Sequence, residues 1–192
     1  MNLTWDDAPH LTEEQKADML SGYMPHEIDM RSKGLPTIGH GAIYPVREAD
    51  ITIPAFRIPD TWPRAYGLDV GYDHPTAVIW GAYNTREDVW YLYSEHKLSR
   101  AEPSIHADAI RSRGLWIPGV IDCHSNRHSE AGAIGLMEMY TRLGLNICSA
   151  DNGPGTLEPS LLEVYQRLSS GRLKIFGHLS QWFEEFRIYR RD

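Results

Sequence analysis

From residue 65 onward, short runs of apolar residues alternate with turn-forming clusters. Residues 65–70, 76–83 and 89–96 each have the length and the β-branched or aromatic content of a strand. Gly71 to Pro75 joins the first pair and Asn84 to Asp88 the second, so the three read as an antiparallel meander. The period then changes. Residues 101–113 predict a helix with Ile105, Ala109 and Ile110 on its inward face. Residues 130–143 predict a second, with Ala133, Leu136, Met137 and Tyr140 inward, and 157–169 a third, stopped by Ser170-Gly171. Residues 119–122 and 146–149 are strand-like, and 173–176 is a short extended segment. The helix before 119–122 makes that strand parallel to the first. A short helix over 179–186 follows, and 187–191 reads as the start of another strand. This order is that of an α/β domain.

The first 50 residues read differently. Thr12 can cap a helix whose first turn is acidic, with Ala17, Met19 and Leu20 at helical spacing. A second short helix is predicted over 26–32, after Pro25. Residues 34–41 are rich in glycine and proline and form a connector, and 42–45 a short extended piece. The expected organisation is a helical linker over 1–50 and one domain over 51–192.

Composition narrows the class. The 192 residues are 42% apolar and 23% charged, ordinary for a soluble globular protein. No apolar run approaches a membrane span, and the N-terminus has no signal-peptide pattern. Cys123 and Cys148 lie outside any C-x-x-C pattern and read as small buried hydrophobes, which fits a cytoplasmic setting. A net charge of −7 argues against passive coating of nucleic acid, though not against a nuclease built on acids and divalent ions. Basic residues cluster at Arg111 and Arg113, at Arg127 and His128, and at Arg187, Arg190 and Arg191.

The candidate chemistry lies in Gly67-Leu68-Asp69-Val70-Gly71-Tyr72-Asp73-His74-Pro75-Thr76-Ala77 and in Val120-Ile121-Asp122. Each apolar run carries an acid at its end, where a carboxylate is costly unless something compensates it. Two acids on neighbouring strand ends make a hard-oxygen pocket suited to Mg²⁺ or Mn²⁺, and such a pocket suits phosphodiester hydrolysis. Asp69 and Asp122 are therefore the candidate catalytic and metal-binding residues. Asp73 and His74 on the turn, and His124 and Ser125 just after Asp122, are candidate supports for water or phosphate. Serine hydrolase chemistry lacks its G-x-S-x-G elbow. Residues 151–155 form a loop at the expected rim. Glu184 and Glu185 read as a solvated helix face, with one of them able to supply an extra acid. Trp80, Tyr83, Trp90, Tyr91 and Tyr93 read as sheet packing rather than base-stacking platforms.

Three antiparallel strands followed by helix–strand units are the order of the ribonuclease H-like fold. The block at 67–78 resembles the first nuclease motif of phage large terminase subunits, which package double-stranded DNA. Trp5-Asp6-Asp7-Ala8-Pro9-His10-Leu11 and Arg31-Ser32-Lys33-Gly34-Leu35-Pro36 resemble the segment joining that family's ATPase and nuclease domains. Residues 183–192 resemble the region before its last motif.

The resemblance implies a Mg²⁺- or Mn²⁺-dependent endonuclease acting on concatemeric double-stranded DNA in the host bacterial cytoplasm, with a two-metal site. Asp69 matches the family's first metal-binding aspartate and Asp122 its second acid. The family's third carboxylate lies in a D-H-x-x-D-A segment, and the sequence stops at Asp192 before one. That reads as a nuclease-domain fragment or a shortened reading frame with an incomplete site. There is no G-x-x-x-x-G-K-[ST] loop, so the chain is not the whole ATP-driven motor. The implied partners are DNA, the portal ring, the small terminase subunit and an ATPase domain. The isolated domain is expected to be a monomer, and Arg127, His128, Arg187, Arg190 and Arg191 are candidate phosphate contacts. The rival readings are a resolvase- or integrase-type nuclease and a catalytically incomplete docking domain.

Overall fold

The computed structural model describes residues 42–71, 73–122, 130–151, 153 and 155–190. The helices expected at 12–20 and 26–32, and the connector at 34–41, lie outside the described residues. The element order is α1 (Glu48–Ile51), β1 (Thr52–Ile53), β2 (Arg64–Asp69), β3 (Thr76–Asn84), β4 (Val89–Leu98), α2 (Pro103–Arg111), β5 (Gly119–Ile121), α3 (Glu130–Arg142), β6 (Ile147–Ser149), α4 (Leu157–Ser169), β7 (Leu173–Phe176) and α5 (Ser180–Ile188). The strands form one mixed sheet in the order β1-β7-β4-β3-β2-β5-β6. The meander β2–β3–β4 is antiparallel, as its short turns dictate. β5 and β6 extend it in parallel beyond β2, and β7 and β1 in parallel beyond β4. This is the ribonuclease H-like arrangement expected from the sequence.

The hairpin after β2 is built by two residues of the 67–78 block. The buried Thr76 hydroxyl donates to the Gly71 carbonyl at 2.7 Å and accepts from the Gly71 N–H at 3.2 Å. A Cβ on Gly71 would collide with the His74 carbonyl, so the turn closes only with glycine there. At the other side of β2, a Cβ on Gly119 would run into the Tyr66 ring, which its absence lets lie across β5.

Side chains alternate along each strand, so neighbours face opposite sides of the sheet. Leu68, Val78, Trp80 and Ile121 face one side and pack with Ala107 and Ile110 of α2 and Tyr140 of α3. Trp80 is wholly buried, and the Arg113 guanidinium lies 4.6 Å from its ring centroid. A second core joins Ile51, Leu168, Ile175, Phe183 and Phe186. Each fully buried aliphatic or aromatic side chain contributes ~1.5–3 kcal/mol.

Four local expectations change. α2 turns His106, Ala107 and Ile110 inward and leaves Ile105 48% exposed. A polar histidine does not register as core in a hydrophobic pattern, but here its ring bonds His96 (Nε2 to Nδ1, 3.0 Å) and is buried at no loss of hydrogen bonding. The tail expected as strand instead continues α5 to Ile188, because Phe183 and Phe186 bury along a helical stripe. Arg190 then makes an isolated antiparallel bridge with Ala42. Cys148 is exposed rather than buried, since β6 is the outer strand of the sheet. Cys123 lies outside the described residues. Finally, the very short α1 and β1 had no readable periodicity.

Candidate metal centre

β2 ends at Asp69, and Asp122 follows the last residue of the parallel strand β5. Leu68 pairs with Ile121, and the Asp122 N–H donates to the Leu68 carbonyl at 3.2 Å, so the ladder continues one step past β5. The two aspartates therefore stand side by side at the carboxyl ends of adjacent strands, on the face opposite Leu68 and Ile121. They open into a cleft of about 400 Å³ that Glu95, Lys97, Trp182 and Glu185 also line.

Asp69 is accessible to solvent, yet its carboxyl is held above the usual range. The protein mass around it is the main cause, followed by the negative charges of Asp122 and Glu185; a hydrogen bond with the Val70 backbone works the other way. The site face thus carries like charges in a partly dry cleft.

Two residues of β4 organise the far wall. Glu95 and Lys97 are two apart, so both project to the cleft face, about 7 Å from one another along the strand. Four residues along a helix advance about 6 Å, a close match. Accordingly, Glu95 accepts from the backbone N–H groups of Gln181 at 3.1 Å and Trp182 at 2.8 Å. One turn further on, Glu185 meets the Lys97 ammonium at 2.6 Å. Glu95 thereby does what the N-cap residue of α5, Leu179, does not do with its own side chain: it satisfies free N–H groups and opposes the positive end of the helix.

Of Glu184 and Glu185, read as a solvated helix face with one able to supply an extra acid, Glu185 is the one that lines the cleft, and its side chain remains exposed. Glu95 and Lys97 were missed. Their signal was present as charges at alternating positions of an otherwise aromatic strand, in cross-strand row with Gly67 and Asp69.

Of the other candidates, Asp73 and His74 are exposed on the turn, where Asp73 lies 3.9 Å from the Arg100 guanidinium. Arg187 makes a two-pronged pair with Glu48 of α1, at 2.7 and 2.8 Å. The Arg190 side chain is exposed near the end of the described chain. His124, Ser125, Arg127, His128 and Arg191 lie outside the described residues. Arg111 and Arg113 are occupied by structure: Arg111 donates to the Leu143 carbonyl at 2.7 Å, and Arg113 to that of Ala109 at 2.8 Å.

Residues 66–192 match the model of the family described as the terminase RNase H-like domain. The chain belongs to this family. The large terminase subunit of Salmonella phage P22 is 31% identical to it over 196 aligned positions. That match takes in the whole chain but 39% of the relative, so the chain spans about two-fifths of a full terminase subunit. The solved P22 large terminase nuclease domain superposes with a TM-score of 0.73 at 28% identity, over 81% of this chain and 82% of that one. The nuclease domain of the phage SPP1 large terminase, solved with bound Mn, shares the fold at 21% identity and a TM-score of 0.50, over 65% of this chain and 67% of that one. The terminase family thus accounts for the strand order.

Among the described residues, no three His, Cys, Asp or Glu side chains converge closely enough to hold an ion. Asp69 and Asp122 alone nevertheless suit a hard divalent cation. They are oxygen donors at the ends of adjacent strands, and burial together with the nearby acids raises the Asp69 carboxyl, a shift that a cation between them would offset.

Proposed function

We propose that this chain is the metal-dependent endonuclease domain of a phage large terminase, hydrolysing phosphodiester bonds of concatemeric double-stranded DNA during genome packaging. The observation that carries the reading is the juxtaposition of Asp69 and Asp122 at the ends of β2 and β5, with the Asp69 carboxyl raised by burial and then by its acidic neighbours. These two residues would hold Mg²⁺ or Mn²⁺, which supplies an activated water and offsets charge developing on the phosphate. The parallel strands keep the two carboxylates in register, and the walls from β4 and α5 shield one side of the reacting group from bulk water. Exposed cations outside the cleft, Arg190 among them, position the DNA backbone without reading its sequence. Arg187 joins them only by leaving Glu48.

The wider reading follows the family. Residues 1–50 serve as the linker to an ATPase domain. The portal ring and small terminase subunit are the partners, and the host cytoplasm is the place of action. Among the described residues no three acids converge as one ligand set, which favours one second reading, a docking domain that does not cut.

Plasmid cleavage with Mn²⁺ separates the two. Nicking or linearisation by the chain, reduced to background by both Asp69→Ala and Asp122→Ala, supports the nuclease. Folded protein that leaves the plasmid intact supports the docking domain.

A further inference from the structure

Besides the two aspartates, and Glu95 that is committed to α5, the cleft holds one more carboxylate, Glu185, and a cation, Lys97. Lys97 stands in one cross-strand row with Ala77 and Asp69, so its stem projects to the same face as Asp69. Its side chain is only 23% exposed, and its ammonium is committed to Glu185 at 2.6 Å. Glu185 is positioned by construction rather than by chance. Glu95 pins the start of α5 to β4, which sets the helix phase so that Glu185 rather than Glu184 lines the cleft, its side chain still open to solvent. The Glu185 charge reaches Asp69, helping to raise its proton affinity. Yet the three acids do not converge as one ligand set. The side chain that would close the set is the one Lys97 holds.

We infer that Glu185 is a further carboxylate of the Asp69–Asp122 site and that Lys97 is its exchangeable partner, so that a divalent cation competes with the Lys97 ammonium for Glu185. The inference rests on the reading of Asp69 and Asp122 as a metal seat. Exchange is physically cheap, because a lysine–glutamate pair with one partner largely in water is a weak interaction. A hard dication, by contrast, prefers carboxylate oxygen. In this arrangement Lys97 is a positioning residue. It steers Glu185 while limiting repulsion among the acids of the cleft.

The test is Mn²⁺ binding by the whole chain, followed as loss of the free-ion EPR signal. Wild type is compared with Glu185→Gln, Lys97→Met, the double variant and Lys97→Arg, each checked for folding by thermal melting. Glu185→Gln should weaken binding by about three- to tenfold, and Lys97→Met should tighten it by a similar factor. The double variant should bind like Glu185→Gln alone, and Lys97→Arg, which keeps the pair, like wild type. Unchanged affinity in Glu185→Gln overturns the inference. So does a Lys97→Met gain that survives in the Glu185→Gln background, since that gain would be a general charge effect. Asp69→Asn and Asp122→Asn test the underlying reading separately: if neither lowers Mn²⁺ affinity, the metal seat itself is wrong.

Discussion

Residues 95–97 of β4 pass through the middle of two opposed environments. Glu95 and Lys97 face the cleft, where charge is arranged but not fully neutralised. His96, between them, faces α2, where its ring bonds the buried His106 and both imidazoles are held below their usual range. For His96 the causes are burial, then the neighbouring His106 and Arg113; for His106 the cause is burial, with a bond to the Ala101 backbone working the other way. One face of the sheet stores electrostatic tension beside Asp69. The other removes it by neutrality, packing Trp80 and Tyr140 to full burial. The contrast teaches that a single strand can carry site and scaffold together, because alternation isolates neighbours from one another.

The comparison can be broken most forcefully on the scaffold face. Trp80→Ala removes a wholly buried ring together with the platform for Arg113, and should cost ~3–5 kcal/mol. Urea unfolding measures this, and a loss below ~1 kcal/mol would mean the core is less tightly organised than described.

Next in size is the junction between the faces. Glu95→Ala leaves two N–H groups of α5 without their acceptor and should cost ~1–2 kcal/mol. Because α5 carries Glu185, the same variant should also loosen the α5 amides in hydrogen exchange. Unchanged protection there would separate the capping of the helix from its placement.

The two faces should also answer acid with opposite sign. His96 and His106 take up protons less readily folded than unfolded, so stability is full above about pH 6.5 and falls as pH drops below it. Urea midpoints at pH 7.5, 6.0 and 5.0 should decline, and His106→Leu should flatten that decline. An unaltered slope in the variant would assign the acid sensitivity elsewhere.

Asp69 behaves the other way. Its folded carboxyl binds a proton more readily than the unfolded one, so protonation relieves strain, and loss of the charge should be stabilising at neutral pH. Asp69→Asn is expected to gain a few tenths to about 1 kcal/mol, the smallest effect here, given solvent screening in the open cleft. A destabilised Asp69→Asn would show that the carboxylate is a structural acceptor rather than part of a tense site.

Much of this was legible in the chain. The meander, the parallel β5 and β6, α4 over Leu157–Ser169 and the pairing of Asp69 with Asp122 follow from local period, turn residues and connection length. What escaped was non-local or polar. His106 went unnoticed because the partner that permits its burial, His96, is on another element. Glu185 looked solvated because helical periodicity ranks faces by hydrophobicity, and a functional acid scores with the wet side.

The sequence by itself determined the fold class and the two aspartates, since strand ends, turns and crossovers are set by neighbours within a few residues. Only the tertiary structure decided that Glu95, Lys97 and Glu185 belong to the same cleft. The docking of α5 along β4 brings together residues some 90 positions apart, and it depends on a match between strand rise and helix rise that no local pattern encodes.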